Sequence, residues 1–85
     1  MNDQPNRAAG VVVSFETVDP EDDPDWPLTR IKGTIKDDLD GRIYTYNQKT
    51  FEGWFEARPL PGKRVRFLRY HSGQHGYVAE EVELE

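Results

Sequence analysis

The middle of the sequence combines aromatic and basic side chains of the types that bind flat, negatively charged ligands. Tyr44, Tyr46 and Trp54 offer ring faces on which bases stack, and each stacked base contributes about 1–3 kcal/mol. Nearby arginines and lysines supply the positive charge that a phosphate backbone attracts. The candidate nucleic-acid contacts are Lys32, Arg42, Tyr44, Tyr46, Trp54, Arg64 and Arg66.

The charge is unevenly distributed along the chain. The formal net charge is −5, but residues 1–29 carry seven Asp/Glu against one Arg, a net −6, and residues 30–85 carry ten Lys/Arg against nine Asp/Glu, a net +1. The aromatic-rich part is therefore not the acidic part. The acidic total weakens a polyanion-binding role without excluding it.

Residues that could support catalysis or metal binding are poorly placed. His71 and His75 flank a glycine-containing turn without a third ligand nearby, and the acids between residues 19 and 25 lack the spacing of a calcium loop. The chain has no cysteine, and no Gly-rich phosphate cradle joins a helix. We expect no enzyme activity, no metal and no cofactor.

The sequence also lacks features of membrane or secreted proteins. No apolar run approaches the roughly 18 residues of a membrane span, and the first residues lack a basic end followed by an apolar stretch. We expect a cytoplasmic protein without a membrane partner.

The hydrophobic pattern predicts an all-β domain. Alternation with period two recurs between turn residues, and no window keeps apolar residues at helical spacing. A domain of this size has a small core, which favours a closed antiparallel barrel of five to six strands. The predicted strands cover residues 11–18, 30–37, 42–47, 51–58, 64–71 and 77–84. Residues 1–10 are predicted to be a disordered tail, residues 11–85 a single domain, and residues 19–29 an acidic, proline-rich loop.

Side-chain alternation assigns residues to the two faces of each strand. In the third strand, Ile43 is expected to face the core, which turns Tyr44 and Tyr46 toward solvent. Trp54 is likewise expected outside, opposite to Phe55. The predicted core comprises Ile31, Ile35, Ile43, Val65, Phe67, Val82 and Leu84.

Two local features of the chain follow from special residues. The Asp-Gly step at Gly41 is typical of a hairpin turn that requires a positive φ. Ala79 and Val82 are three residues apart in the last strand, so a β-bulge is needed if both face inward.

Several segments resemble motifs of one family. Residues 33–36 (GTIK) are similar to "G-T-V-K", residues 41–45 (GRIYT) fall where "G-F-G-F-I" is expected, and residues 53–57 (GWFEA) where "V-F-V-H-F" is expected. Residues 61–67 (PGKRVRF) and 76–82 (GYVAEEV) are similar to "E-G-Q-x-V-x-F" and "G-P-Q-A-A-N-V". From Lys32 onward the chain thus resembles the cold-shock domain, a barrel of the oligonucleotide-binding type. The resemblance implies such a barrel with an extra N-terminal strand at residues 11–18.

The sequence departs from that family at outward positions. Asp37 and Asp38 replace its surface Trp-Phe, Arg42 replaces an aromatic residue, and Glu56 replaces a histidine. The resemblance therefore implies weak, sequence-tolerant binding of single-stranded RNA or DNA by a monomer or weak dimer.

Other interpretations remain open on the sequence alone. The strand at residues 11–18 either completes the barrel, covers the aromatic face or mediates dimerisation. The alternative function is a protein-interaction module on a barrel that has lost nucleic-acid binding. In that case the acidic loop Asp19–Thr29 docks a protein partner, or it folds back onto Arg64, Arg66 and Arg69. A different small barrel, such as an SH3-like one, also fits the pattern.

Overall fold

The computed structural model describes residues 7–18, 30–51, 53 and 56–85. Within these ranges the chain forms five strands and no helix, as the all-β prediction requires. The strands are β1 (Arg7–Val18), β2 (Arg30–Asp37), β3 (Ile43–Asn47), β4 (Arg64–Ser72) and β5 (Gly76–Leu84). None of the segments described here is a helix able to cross a membrane.

The five strands close into a barrel in the order β1-β2-β3-β5-β4, with β4 pairing back to β1. Closure leaves no long sheet edge open to pairing with other chains. Four of the contacts between neighbouring strands are antiparallel, whereas β3 and β5 run parallel and pair through Thr45 and Val78. The strand orientation is therefore mixed rather than wholly antiparallel. The architecture is consistent with a small barrel of the oligonucleotide-binding type.

The strand expected as an N-terminal addition is an integral part of this barrel. β1 pairs with β2 along most of its length and with β4 through residues 7–11. Residues 7–10 are strand rather than tail, because Ala8 is buried in the core and Gly10 packs against the backbone of β2. The segment therefore completes the barrel, which is one of the three roles that the sequence left open. The GTIK segment consequently lies on the second barrel strand, not the first.

The predicted strand at residues 51–58 is not present in the described part of that stretch. The amides of Glu56 and Ala57 donate to the Gly53 carbonyl, and the amide of Phe51 donates to the Asn47 carbonyl. These local bonds form turns, so none of the described residues of the segment belongs to a strand of the sheet. Trp54 and Phe55 lie outside the described residues.

The core fills the barrel with the apolar side chains of all five strands. Its buried members are Ala8, Val12, Ile31, Ile35, Tyr44, Tyr46, Phe51, Val65, Phe67, Ala79 and Val82. Five of the seven predicted core residues are among them, and Leu84 is partly buried against the cluster. Each large apolar side chain buried in this way stabilises the fold by about 1.5–3 kcal/mol.

The predicted β-bulge in the last strand is confirmed. Ala79 and Val82 are both buried, and the register between β4 and β5 shifts at this point. Glu81 adopts a φ of 50° there, and its carbonyl accepts a hydrogen bond of 2.9 Å from Arg7. The extra residue lets both apolar side chains enter the barrel.

The predicted orientation of β3 is wrong. Tyr44 and Tyr46 are 3% and 2% exposed, whereas Ile43 is 46% exposed. The reason is the register: Tyr44 pairs with Ile35 and Tyr46 pairs with Gly33, and directly paired residues share one face of a sheet. Because β2 buries those two positions, β3 must bury the tyrosines, and a shift by one residue would reverse the whole strand.

The barrel accommodates both tyrosines by satisfying their hydroxyl groups. The Tyr44 hydroxyl donates to Oδ2 of Asp40 at 3.1 Å, and the Tyr46 hydroxyl donates to the Ser14 carbonyl at 2.8 Å. Burial raises the pKa of Tyr46 to about 12. The ring of Tyr46 lies over Gly33, where a Cβ would come within 2.3 Å of the tyrosine hydroxyl. Glycine at this position therefore makes room for the inward ring.

Replacing Gly33 with alanine tests this packing. The added methyl group would overlap the Tyr46 side chain and the Ser14 carbonyl, so we expect Gly33→Ala to lower the free energy of unfolding by about 1–3 kcal/mol. Gly73→Ala is the matched control, because nothing lies within 4 Å of a Cβ built there. Chemical denaturation measures both variants, and equal stabilities would contradict the proposed role of Gly33.

Candidate nucleic-acid interface

The inward tyrosines leave a different set of side chains on the outside of the central hairpin. The outward pairs across β2 and β3 are Lys32 with Asn47, Thr34 with Thr45, and Lys36 with Ile43. We call these six residues the β2–β3 face. It carries two lysines and no carboxylate, so it is locally positive in a chain of net charge −5.

Neighbouring strands extend this surface on both sides. On β1, Val11 pairs with Lys36 of β2 and with Arg64 of β4, which places Arg64 on the same outer surface. On the opposite side, Val78 of β5 pairs with Thr45 and with Tyr70. Tyr70 is 51% exposed, so its ring stands beside the β2–β3 face and is open to solvent.

Arg42 lies at the mouth of the barrel, beside the end of the β2–β3 face, because it is opposite the inward residue Asp37 and not on the outward row. Its guanidinium carbon is 4.6 Å from the ring centroid of Tyr77, and it donates a hydrogen bond to the Tyr77 hydroxyl. Asp40 accepts a bond of 2.8 Å from the Arg42 amide, and its carboxylate lies 4.0 Å from Nε. The half-exposed guanidinium is thus oriented as a planar cation at the edge of the surface.

Tyr77 is the centre of a small aromatic cluster at this end of the barrel. His71 is its cross-strand partner, with ring centroids 4.5 Å apart, and Tyr44 meets it edge-on at 5.6 Å. Arg42 lies over the same ring. Because Tyr77 already contacts these three groups, Tyr70 is the more accessible ring for an added base.

Arg64 and Arg66 project outward from β4, as alternation predicts, but carboxylates neutralise them. Arg64 forms an ion pair with Asp38 and lies 3.7 Å from Glu85, while Nε of Arg66 lies 3.3 Å from Glu85. Both guanidinium groups remain about half exposed. A phosphate would have to compete with these carboxylates for either arginine.

An ion pair between buried Asp37 and the partly exposed Arg69 anchors the turn between β2 and β3. Asp37 is buried, and its carboxylate accepts hydrogen bonds of 2.7 and 3.2 Å from the Arg69 guanidinium. It also accepts bonds from the amides of Leu39 and Asp40 at 2.7 and 3.2 Å. Burial acts to raise the pKa of Asp37, but these hydrogen bonds outweigh it, and the pKa is lowered from its ordinary value.

This anchored turn positions the residues that follow it. Asp40, held through its amide by Asp37, binds the Arg42 amide and the Tyr44 hydroxyl. Gly41 completes the turn with a φ of 71°, as its Asp-Gly step predicts. Asp37, expected from the sequence to lie near a phosphate path, is instead a buried support for Arg42.

The described structure divides the predicted contact residues into three groups. Lys32 and Arg42 lie on or beside the β2–β3 face, and Arg64 and Arg66 lie beyond β1 in ion pairs. Tyr44 and Tyr46 were expected to be solvent-facing stacking surfaces; that orientation is wrong, because the register turns both rings into the core. Trp54 lies outside the described residues.

Three residues of this surface were missed by the sequence reasoning: Lys36, Tyr70 and Tyr77. Lys36 lies two positions from Thr34 on the outward side of β2, so alternation alone was a sufficient signal. Tyr70 and Tyr77 required the pairing of β4 with β5 and of β5 with β3, which no local pattern reveals.

The described residues were also considered as ligands of a metal ion. Among the residues with described positions, no group of three or more His, Cys, Asp or Glu side chains forms a potential metal site. No protein-family model, curated protein or solved structure gives a significant match to the sequence or its fold.

The Asp37–Arg69 pair should make the stability of the fold depend on pH. The folded-state pKa of Asp37 lies below its ordinary value of 3.8, so its stabilising contribution is complete above that pH and is lost as the pH falls through the folded-state pKa. At neutral pH we expect Asp37→Asn to lower the free energy of unfolding by about 1–3 kcal/mol, because charge-assisted hydrogen bonds are lost. The difference from the unsubstituted protein should shrink as the pH falls below 3.8 and through the lower folded-state pKa.

Asp38→Asn is the matched control for this measurement, since it removes a neighbouring carboxylate whose ion pair with Arg64 is solvent-exposed. We expect little change in stability from it. Urea unfolding at several pH values distinguishes the two variants. A loss for Asp37→Asn that does not vary with pH would contradict the ionised state assigned to this carboxylate.

Proposed function

We propose that this protein binds single-stranded RNA or DNA weakly and with little sequence preference, across the β2–β3 face. The observation that carries the proposal is the outward row of Lys32 and Lys36, without a carboxylate among the six residues, on the same outer surface as the exposed ring of Tyr70. Barrels of the oligonucleotide-binding type use the outer surface of their second and third strands for such ligands.

The lysines provide contacts to the phosphate backbone. Lys32 and Lys36 are four residues apart on one strand, which separates their Cα atoms by about 13 Å at roughly 3.3 Å per residue. Each ammonium group is therefore able to meet a different phosphate of an extended strand. Arg42 adds a planar cation at the end of the row.

Tyr70 provides the stacking surface, in place of the two buried tyrosines. Among the described residues this one ring takes the place of the two buried tyrosines and supports fewer stacked bases, and the carboxylates around Arg64 and Arg66 reduce the positive potential. Glu16 pairs across strands with Lys32 and further lowers that potential. These features favour weak binding.

The relation to cold-shock domains remains part of this proposal. The GTIK segment and the closing segments support it, together with the closed five-stranded barrel. The position of GTIK on β2 counts against a strand-by-strand correspondence. The proposal therefore relies on the exposed side chains rather than on the family's own contact residues.

Protein docking on the same surface is the second candidate function. Ile43 and Val13 are each about half exposed on the outer surface of the barrel, which suits an apolar contact. The two functions differ in salt dependence, because nucleic-acid binding releases counterions and an apolar contact does not.

A salt series with lysine variants tests the proposed function. We expect the logarithm of the affinity for oligouridine to fall linearly with the logarithm of salt concentration, with a slope of about 0.7 per phosphate contacted. Lys32→Gln and Lys36→Gln should each reduce that slope by about 0.7. Lys63→Gln, in the exposed turn before β4, is the matched control and should leave it unchanged.

Fluorescence anisotropy of a labelled oligomer provides the measurement. A salt slope that is the same in the Lys32→Gln/Lys36→Gln double variant and in the unsubstituted protein would refute the β2–β3 face as the binding surface. An oligomer that fails to bind even at low salt would refute the function itself.

Removing the exposed ring tests the stacking role separately. Tyr70→Ala should weaken binding of oligouridine and oligoadenosine alike, by about 1–3 kcal/mol for the one stacked base. Tyr70→Phe retains the ring and should bind nearly as well as the unsubstituted protein. Equal affinities for the alanine and phenylalanine variants would show that Tyr70 does not stack on bases.

A further inference from the structure

A groove of about 510 Å³ lies between β3 and the β4–β5 hairpin, beside the β2–β3 face. Its volume is within the range of about 300–1,000 Å³ that is typical of small-ligand sites. The residues of the groove used below are Thr45, Asn47, Lys49, Tyr70, Val78 and Glu80.

The strand pairing defines the shape of this groove. Val78 pairs with Thr45 on one side and with Tyr70 on the other, so half-buried Val78 forms the floor and the two partners form opposite walls. Glu80 is two residues further along β5, on the same side of the sheet as Val78. One wall of the groove is thus an exposed aromatic ring and one end is a carboxylate.

Glu80 differs from the other glutamates of this C-terminal segment. Glu81 and Glu83 pair with Arg7, and Glu85 pairs with Arg64 and Arg66. Glu80 is half-buried, yet its carboxylate makes no hydrogen bond or ion pair with any residue whose position the structure describes. A partly desolvated carboxylate only accepts hydrogen bonds, so this one is available to a ligand with N–H donors.

The opposite side of the groove supplies donors. Oδ1 of Asn47 accepts hydrogen bonds from the amides of Lys49 and Thr50 at 2.8 and 3.2 Å. These bonds fix the side-chain amide and leave its Nδ2 group available for donation. The exposed ammonium group of Lys49 adds a second donor.

We propose that this groove binds one base of the strand and prefers guanine. The inference rests on the proposed function and adds base selectivity at a single position. Guanine presents two adjacent donors, N1–H and the 2-amino group, which suit the two oxygens of the Glu80 carboxylate. Its O6 accepts from Asn47 or Lys49, and its ring stacks on Tyr70.

The other bases satisfy this arrangement less well. Uracil offers one N–H between two carbonyl groups, and adenine and cytosine each place a ring-nitrogen acceptor beside their amino group. With any of these bases the carboxylate meets an acceptor or keeps an oxygen without a donor, which costs free energy in a partly buried site. The remainder of the strand contacts the β2–β3 face, where backbone phosphates dominate and the base sequence matters little.

A set of uridine heptamers with one central substitution tests the preference. We expect the heptamer with central guanosine to bind about tenfold more tightly than the all-uridine or central-adenosine heptamers, which is within the range for a good bidentate base contact. Central inosine lacks the 2-amino group and should lose most of that advantage. Fluorescence anisotropy at low salt measures all four affinities.

Substitution of the carboxylate identifies the group responsible. Glu80→Gln should reduce the guanosine-to-uridine affinity ratio to about one, since the glutamine amide has one acceptor oxygen in place of two. Glu83→Gln removes the same charge from the same strand outside this groove. The guanosine-to-uridine affinity ratio of this variant should match that of the unsubstituted protein. Thermal unfolding of both variants establishes that the barrel is intact.

The outcomes separate this inference from the proposed function. If all heptamers bind equally, or if Glu80→Gln retains the guanosine preference, the base pocket is refuted while nucleic-acid binding stands. If none of the heptamers binds at low salt, both are refuted.

Discussion

The ion pair between the buried carboxylate of Asp37 and Arg69 is the interaction on which the rest of the structure depends. Its carboxylate binds the amides of the turn after β2 and so fixes the length and path of the connection to β3. That connection sets the register in which Tyr44 lies opposite Ile35. The register in turn decides which side chains of β3 enter the core. A charged group inside a small barrel is costly unless it is paired and hydrogen-bonded, and here one carboxylate has four donated hydrogen bonds.

The same register determines the properties of the outer surface. With both tyrosines inside, the outward positions of the central hairpin hold lysine, threonine, asparagine and isoleucine, on the same outer surface as an exposed ring on β4. The proposed stacking ring and the proposed phosphate contacts thus lie on different strands, with β5 paired to both β3 and β4 between them. Surface carboxylates pair with Arg64 and Arg66, so the positive charge of this surface comes mainly from Lys32 and Lys36. A weak, local contact with a flexible strand is consistent with this distribution.

Much of the fold was predictable from the sequence, because alternation, turn residues and glycines act locally. The five strands of the barrel, the positive φ at Gly41 and the bulge between Ala79 and Val82 were identified in this way, whereas the sixth predicted strand, at residues 51–58, is not present in its described part. The orientation of β3 could not be predicted in this way. Ile43 is on one face of this strand and Tyr44 and Tyr46 are on the other, and either set of side chains could fill a core. Choosing between them required the register and the space over Gly33, which depend on contacts distant in sequence. The candidate site was therefore predicted only in part. Some of its cations were identified from the sequence, whereas the exposed rings of Tyr70 and Tyr77 follow from strand pairing.

A backbone amide chemical-shift titration with a short single-stranded oligomer at low salt tests the central claim most directly, since it locates the surface that responds. The largest shifts are expected on the outward residues of β2 and β3, at Arg42, and at the paired residues Tyr70 and Val78, with little change around Arg66 and Glu85. Saturable shifts in that pattern would support a binding surface created by the inward tyrosines. An absence of shifts, or shifts confined to the β1–β4 side of the barrel, would contradict it.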